Sequence, residues 1–140
     1  MKKLFSGILV AVSLVFSSVL MAENVQPETI PGAKTVTAED LIALVDDLDN
    51  LVIIDARSQS DYDKGHIPDV IRIKNDDVTP DTLAGALPAK DTPVAFYCNS
   101  KTCPRSADAA TKASAAGYSN IYWFRGGIAE WREKGFPVEM

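Results

Sequence analysis

Val94–Ala116 reads VAFYCNSKTCPRSADAATKASAA, and the order of its properties decides the fold. Val94-Ala95-Phe96-Tyr97 is a short uncharged run of the kind found in strands buried on both faces. A polar loop follows it directly. Ser106–Ala116 is then an alanine-rich helix that Gly117 ends. The same alternation continues on either side. Leu51-Val52-Ile53-Ile54, after an Asp49-Asn50 turn, reads as a strand, as do Val70–Ile73 and Ile121–Phe124. Thr37-Ala38-Glu39-Asp40 opens a helix with a threonine cap and acids in its first turn, and Leu41, Ile42, Leu44, Val45 and Leu48 recur at helical spacing. Thr82–Leu87, closed by Pro88, and Ala129–Lys134, stopped by Gly135 and Pro137, read as shorter helices. Strands alternating with helices predict an α/β domain with a mostly parallel sheet. Ligands of such sheets sit at the carboxyl ends of the strands. Asp55 and Cys98 close two of them.

The chain has 140 residues, enough for one compact domain. Hydrophobic residues make up 46% and charged residues 24%, the balance of a globular protein. The net charge of −5 argues against a nucleic-acid partner, which requires a basic surface. Two cysteines make neither a disulfide-rich scaffold nor a four-cysteine zinc site, and one histidine makes no multi-histidine metal site. No metal and no cofactor is expected.

Residues 1–22 belong to a different class. Met1-Lys2-Lys3 is cationic, Leu4–Ala22 carries no charge, and Glu23 ends the run. That layout predicts a secretory signal peptide cleaved near Ala22, with a periplasmic destination and no membrane attachment afterwards. Residues 23–34, with two prolines and a glycine, read as a linker, and 35–140 as the domain. In an exported protein the two cysteines face an oxidising compartment.

The chemistry lies in Cys98-Asn99-Ser100-Lys101-Thr102-Cys103-Pro104-Arg105-Ser106. A loop running from a strand end into a helix can curl its amides toward one atom, and the helix N-terminus adds about half a positive charge. A thiol of pKa ~8.5 is about 3% ionised at neutral pH. Lowering it to ~6.5 makes it mostly thiolate, which requires roughly 2.7 kcal/mol of differential stabilisation. The amides, the dipole, Lys101 and Arg105 are the available sources, and the same cations attract a small oxyanion. Two other readings stay open from the residues alone. Cys98 is a small core residue, or Cys103 bonds to it.

Four ordered motifs carry a resemblance. They are Asp55-Ala56-Arg57; Asp61-Tyr62-x-x-Gly65-His66-Ile67-Pro68; Tyr97-Cys98 with Arg105-Ser106; and Arg125-Gly126-Gly127-x-x-x-Trp131 followed by Gly135-Phe136-Pro137-Val138. Together they resemble a single-domain rhodanese over residues 35–140. The resemblance implies a three-layer fold with five parallel strands flanked by helices. It also implies that Cys98 accepts a sulfane sulfur as a persulfide. The stretch Asn99, Ser100, Lys101, Thr102, Cys103, Arg105 and Ser106 would form the anion-binding cradle. Arg57 would stand near the pocket, supporting structure or substrate, and Asp55 would be a structural acceptor. His66 would hold the Gly65–Pro68 turn through a backbone hydrogen bond, and Trp123 and Trp131 would be core.

The loop departs from the family pattern. Six residues separate Cys98 from Arg105 where four are usual. No glycine is among them, and Pro104 removes one donor. Asn99 is the residue expected to take the left-handed conformation in glycine's place. The leading expectation is a periplasmic sulfurtransferase moving sulfur from thiosulfate or a related small anionic donor to cyanide or a thiol, with no partner protein indicated. Two alternatives are an oxyanion phosphatase or arsenate reductase, against which Tyr97 stands where such phosphatases carry histidine, and a non-enzymatic sulfur-carrier or redox module using Cys98 and Cys103.

Overall fold

A computed structural model describes residues 26–140. The expected signal peptide, 1–22, lies outside them. Eleven elements follow in chain order: β1 (Ala33–Val36), α1 (Ala38–Asp47), β2 (Val52–Asp55), α2 (Gln59–Asp63), β3 (Ile71–Arg72), a 3-10 turn (Asn75–Asp77), α3 (Pro80–Ala86), β4 (Val94–Tyr97), α4 (Arg105–Ala115), β5 (Ile121–Phe124) and α5 (Gly127–Glu133). The strands form one parallel sheet in the order β1-β5-β4-β2-β3. The α/β class read from the residues and the five-stranded parallel sheet implied by the resemblance are what the structure shows.

β4 lies at the centre of the sheet, and all four of its residues are buried. Strand alternation then divides the core in two. Ile54, Val94, Phe96, Ile121 and Trp123 point to one side, where Leu83 of α3 and Ala109, Ala110 and Ala113 of α4 cover them. Ile53, Ala95, Tyr97 and Phe124 point to the other, against Leu41 of α1 and Ile128 and Trp131 of α5. The small alanines let α4 lie close on the sheet. The Trp123 indole reaches between the layers and donates its Nε1–H to Ser106 Oγ at 2.9 Å.

α1 starts as its cap predicts. Thr37 Oγ1 accepts from the Asp40 amide and the Asp40 carboxylate accepts from the Thr37 amide. α3 begins earlier than Thr82, because Thr79 caps it in the same way and Pro80 fits the first helical position. α4 and α5 begin one and two residues earlier than expected, at Arg105 and Gly127.

Three elements were not expected from the residues: β1, the five-residue α2 and the 3-10 turn. β1 also corrects the linker assignment. Ala33 and Lys34 are strand residues, paired with Ile121 and Tyr122 of β5. Ile30 is buried in the core beside α4, and Arg125 donates to the carbonyls of Gln26 and Pro27. Residues 26–34 are therefore packed against the domain.

Candidate functional site

β2 and β4 run side by side, with Asp55 in register with Tyr97. Their carboxyl ends therefore present Asp55 and Cys98 at one edge, as expected for this class of sheet. A network is built on Asp55, which is fully buried. Its carboxylate accepts from the Arg57 amide at 3.0 Å, from Arg57 Nε at 2.9 and 3.1 Å, and from Arg57 Nη2 at 2.7 Å. The Tyr97 hydroxyl donates to it at 2.6 Å and accepts from the Ile67 amide at 3.2 Å. Burial, then the Asp55 charge, push the Tyr97 phenol far above its ordinary pKa, so it stays a donor. Burial alone would lower the Arg57 pKa, but the hydrogen bonds and charge of Asp55 outweigh it and raise it.

Arg57 itself is 2% exposed. Its remaining donors go to the Gly65 carbonyl at 2.9 Å and to Asn99 Oδ1 at 3.4 Å. The first of these holds the Gly65–Pro68 turn, and the second ties the network to the cysteine loop. The Arg57 side chain is buried and its donors are engaged, which is the supporting one of the two roles the resemblance implies for it. Ser106 is likewise buried, with its hydroxyl bonded to Trp123. Its side chain is structural, and only its amide remains available to a ligand.

The loop is pinned at its start. The Ile128 and Ala129 amides at the start of α5 donate to the carbonyls of Cys98 and Asn99, at 3.0 and 2.9 Å. Gly127 makes this approach possible. Its φ is +63°, and a Cβ there would run into the Cys98 carbonyl and the Asn99 backbone. Gly127→Ala is expected to destabilise the domain by more than about 1 kcal/mol and to displace the loop. Urea unfolding and thiol accessibility measure both effects.

Within the loop, the Cys103 amide donates to the Ser100 carbonyl at 3.1 Å, and the hydroxyls of Ser100 and Thr102 lie 3.1 Å apart. Asn99 does not take the left-handed conformation. Asp69 is the one non-glycine residue with positive φ among the described residues. Among the described residues, the amides of Asn99, Ser100, Lys101 and Thr102 find no protein acceptor. α4 follows with Pro104 at its cap position and no side-chain cap. The segment keeps free donors next to a helix N-terminus.

Cys98 is 1% exposed, Cys103 is half-buried, and the two form a disulfide with Cα atoms 6.2 Å apart. The open question of their pairing is thus answered by a bond. Lys101 and Thr102 are exposed at the loop tip. Arg105 is partly exposed, and its Nη1 meets Asp61 Oδ2 at 3.2 Å. Asp61 also accepts from Asn99 Nδ2 at 3.4 Å. Burial would raise the Asp61 pKa, but hydrogen bonds from Asn99, Ser58 and Arg105 outweigh it and hold the carboxyl below its usual range. Asp61 was not among the expected site residues. It stands in the second motif, but a five-residue helix brings it to the loop, and no sequence period marks so short an element.

His66 fills the structural role expected of it. Its Nδ1 lies 3.1 Å from the Tyr62 carbonyl, its ring stacks on Tyr62 at 3.7 Å, and its backbone pairs with Glu139. Trp123 and Trp131 are core.

A parallel three-layer domain that presents a cysteine after its central strand, in an amide-lined loop, defines a cysteine-loop class of α/β protein. The chain belongs to the rhodanese family: the rhodanese-like domain profile matches residues 37–134. A sulfurtransferase of Allochromatium vinosum is 28% identical over 103 residues, covering 74% of this chain and 92% of that protein. The tRNA uridine(34) hydroxylase of Photorhabdus laumondii is 28% identical over 136 residues. The match covers 86% of this chain and only 36% of the hydroxylase. The crystal structure of the BH2092 protein from Bacillus halodurans superposes with a TM-score of 0.69 at 25% identity, covering 76% of this chain and 77% of that one.

Proposed function

We propose that the protein is a periplasmic sulfurtransferase that carries sulfane sulfur on Cys98. One observation supports this above the others. Cys98 directly follows the central strand, in a loop whose Asn99–Thr102 amides find no protein acceptor and which leads into a helix without a side-chain cap. Reduction of the Cys98–Cys103 bond frees the thiol. The amides and helix terminus favour its thiolate. The thiolate attacks the outer sulfur of thiosulfate or a related small anion, the sulfur–sulfur bond breaks, and sulfite leaves with the electron pair. The persulfide then gives its outer sulfur to cyanide or a thiol. Export rests on the Lys2-Lys3 start and the uncharged run to Ala22.

The test is the intact mass of the reduced Cys103→Ser variant, in which no neighbouring thiol can discharge a persulfide on Cys98, after thiosulfate treatment. The expected result is one added sulfur atom with release of sulfite. An unchanged mass overturns the reading. Hydrolysis of a chromogenic phosphate ester at a comparable rate would favour an oxyanion phosphatase instead.

The donor site also has a measurable electrostatic signature. Asp61 offsets the Arg105 charge beside the loop. Asp61→Asn keeps the side chain's size and removes its charge, so it is expected to lower the apparent KM for thiosulfate by about two- to fivefold. Arg105→Ala is expected to raise it. Steady-state kinetics over a thiosulfate series read both. Shifts of the same sign in the two variants would mean that Arg105 does not face the donor.

A further inference from the structure

We infer that Cys103 resolves the Cys98 persulfide, so that the protein releases its sulfur as sulfide and is returned to the dithiol by an external dithiol reductant. This rests on Cys98 being the sulfur acceptor and names the second half of its reaction. The disulfide shows that Cys103 Sγ reaches bonding position on Cys98 Sγ within this fold. The two cysteines stand on unlike supports. Cys98 directly follows a buried strand, with its carbonyl fixed by Ile128. Cys103 lies on a turn whose neighbours Lys101 and Thr102 are exposed. A thiol so placed meets the inner sulfur of a Cys98 persulfide without having to diffuse to it, whereas a thiol from solution must enter the loop.

The steps balance. The Cys98 thiolate takes the outer sulfur of thiosulfate and releases sulfite. The Cys103 thiol then attacks Cys98 Sγ. The Cys98–outer sulfur bond breaks, the outer sulfur leaves with the electron pair and takes the Cys103 proton, and hydrosulfide departs. The Cys98–Cys103 bond is the other product. A dithiol reductant, either a small molecule or a protein with two neighbouring thiols, supplies two electrons and reopens it. The sum is thiosulfate plus dithiol giving sulfite, hydrosulfide, a proton and the oxidised reductant.

The burial difference also assigns the route of reduction. Cys98 is 1% exposed and Cys103 is half-buried, so an incoming thiolate attacks Cys103 Sγ. Cys98 is then the leaving thiolate, and the free amides of the loop favour its departure. The same side chain that resolves the persulfide receives the reductant. The cycle returns Cys98 to its nucleophilic form without exposing it.

A single-turnover experiment tests this. The full mature protein is reduced, freed of reductant without air, and mixed with excess thiosulfate. The expected result is one equivalent each of sulfite and sulfide per chain. The final mass should lie two hydrogens below the reduced protein. Cys103→Ser is expected to release sulfite alone and to keep one added sulfur until cyanide or a thiol is supplied. Wild type that retains the added sulfur and releases no sulfide overturns the resolving role, and this arm needs no variant. If neither protein releases sulfite or gains sulfur, the Cys98 acceptor reading itself fails. The two failures are therefore distinguishable.

Discussion

Cys98→Ser is expected to lower thiocyanate formation from thiosulfate and cyanide by at least about 10^4-fold, to the rate without protein. Serine keeps the size of the side chain and its place at the end of β4. Its hydroxyl does not ionise near neutral pH, so the loop amides have no anion to favour. The substitution also removes the disulfide, which would confuse the result if it were made alone. Cys103→Ser removes the same bond and leaves the proposed nucleophile intact. The cross-link closes a short loop and contributes about 2 kcal/mol in the chain-entropy account. Both variants lose that amount against a typical stability of about 5–15 kcal/mol, and both are expected to fold. Matched melting temperatures with activity lost only in Cys98→Ser would separate chemistry from stability. The same comparison after oxidation adds a second contrast. Wild type is expected to be inactive until reduced, and Cys103→Ser to resist the treatment. Full activity in Cys98→Ser would move the nucleophile to Cys103.

What could be read from the sequence follows from how each element is stabilised. β4, β2 and β5 are buried on both faces or nearly so, and their runs of apolar residues announce them. β1 is an edge strand with one neighbour. Of Ala33-Lys34-Thr35-Val36, only Val36 is buried. Its pairing with β5 comes from backbone hydrogen bonds, which leave no mark on residue type. α2 is five residues long, four of them polar and Tyr62 the exception, and is held by Ser58 at its cap, so it has no apolar stripe to detect. The cysteine loop is legible as a candidate site because a thiol between a strand and a helix is a chemical pattern. Its internal geometry is not. Whether Cys103 meets Cys98 depends on the turn that Ser100 and Cys103 close, and five residues of separation allow many turns. Arg57 shows the converse. A charged side chain reads as exposed, and it is buried here because Asp55, two residues earlier, turns its carboxylate onto the guanidinium.

That buried pair has the largest expected effect on stability. Asp55→Asn keeps the shape of the side chain and removes its charge. The Arg57 guanidinium then stays 2% exposed with no anion beside it, and the Tyr97 hydroxyl loses its 2.6 Å acceptor. Breaking one partner of a buried pair costs about 3–5 kcal/mol, a large fraction of a domain's stability. With a urea m-value of about 2 kcal/mol/M, the unfolding midpoint is expected to fall by roughly 2 M with m unchanged. Tyr97→Phe is expected to cost less, about 1–3 kcal/mol, because it strands only the Ile67 amide and one lone pair of Asp55. Joint replacement separates the pair's worth from the damage of breaking it. Asp55→Ala with Arg57→Leu leaves no buried charge unpaired, so it is expected to cost less than the sum of the two single changes. The network also reaches the site, since Arg57 Nη1 donates to Asn99 Oδ1, next to Cys98. Asp55→Asn is therefore expected to slow sulfur uptake even at temperatures where the protein remains folded. Additive losses in the double variant, or a midpoint shift below about 0.5 M, would mean that hydrophobic packing around β2 and β4 carries this edge of the sheet without the charges.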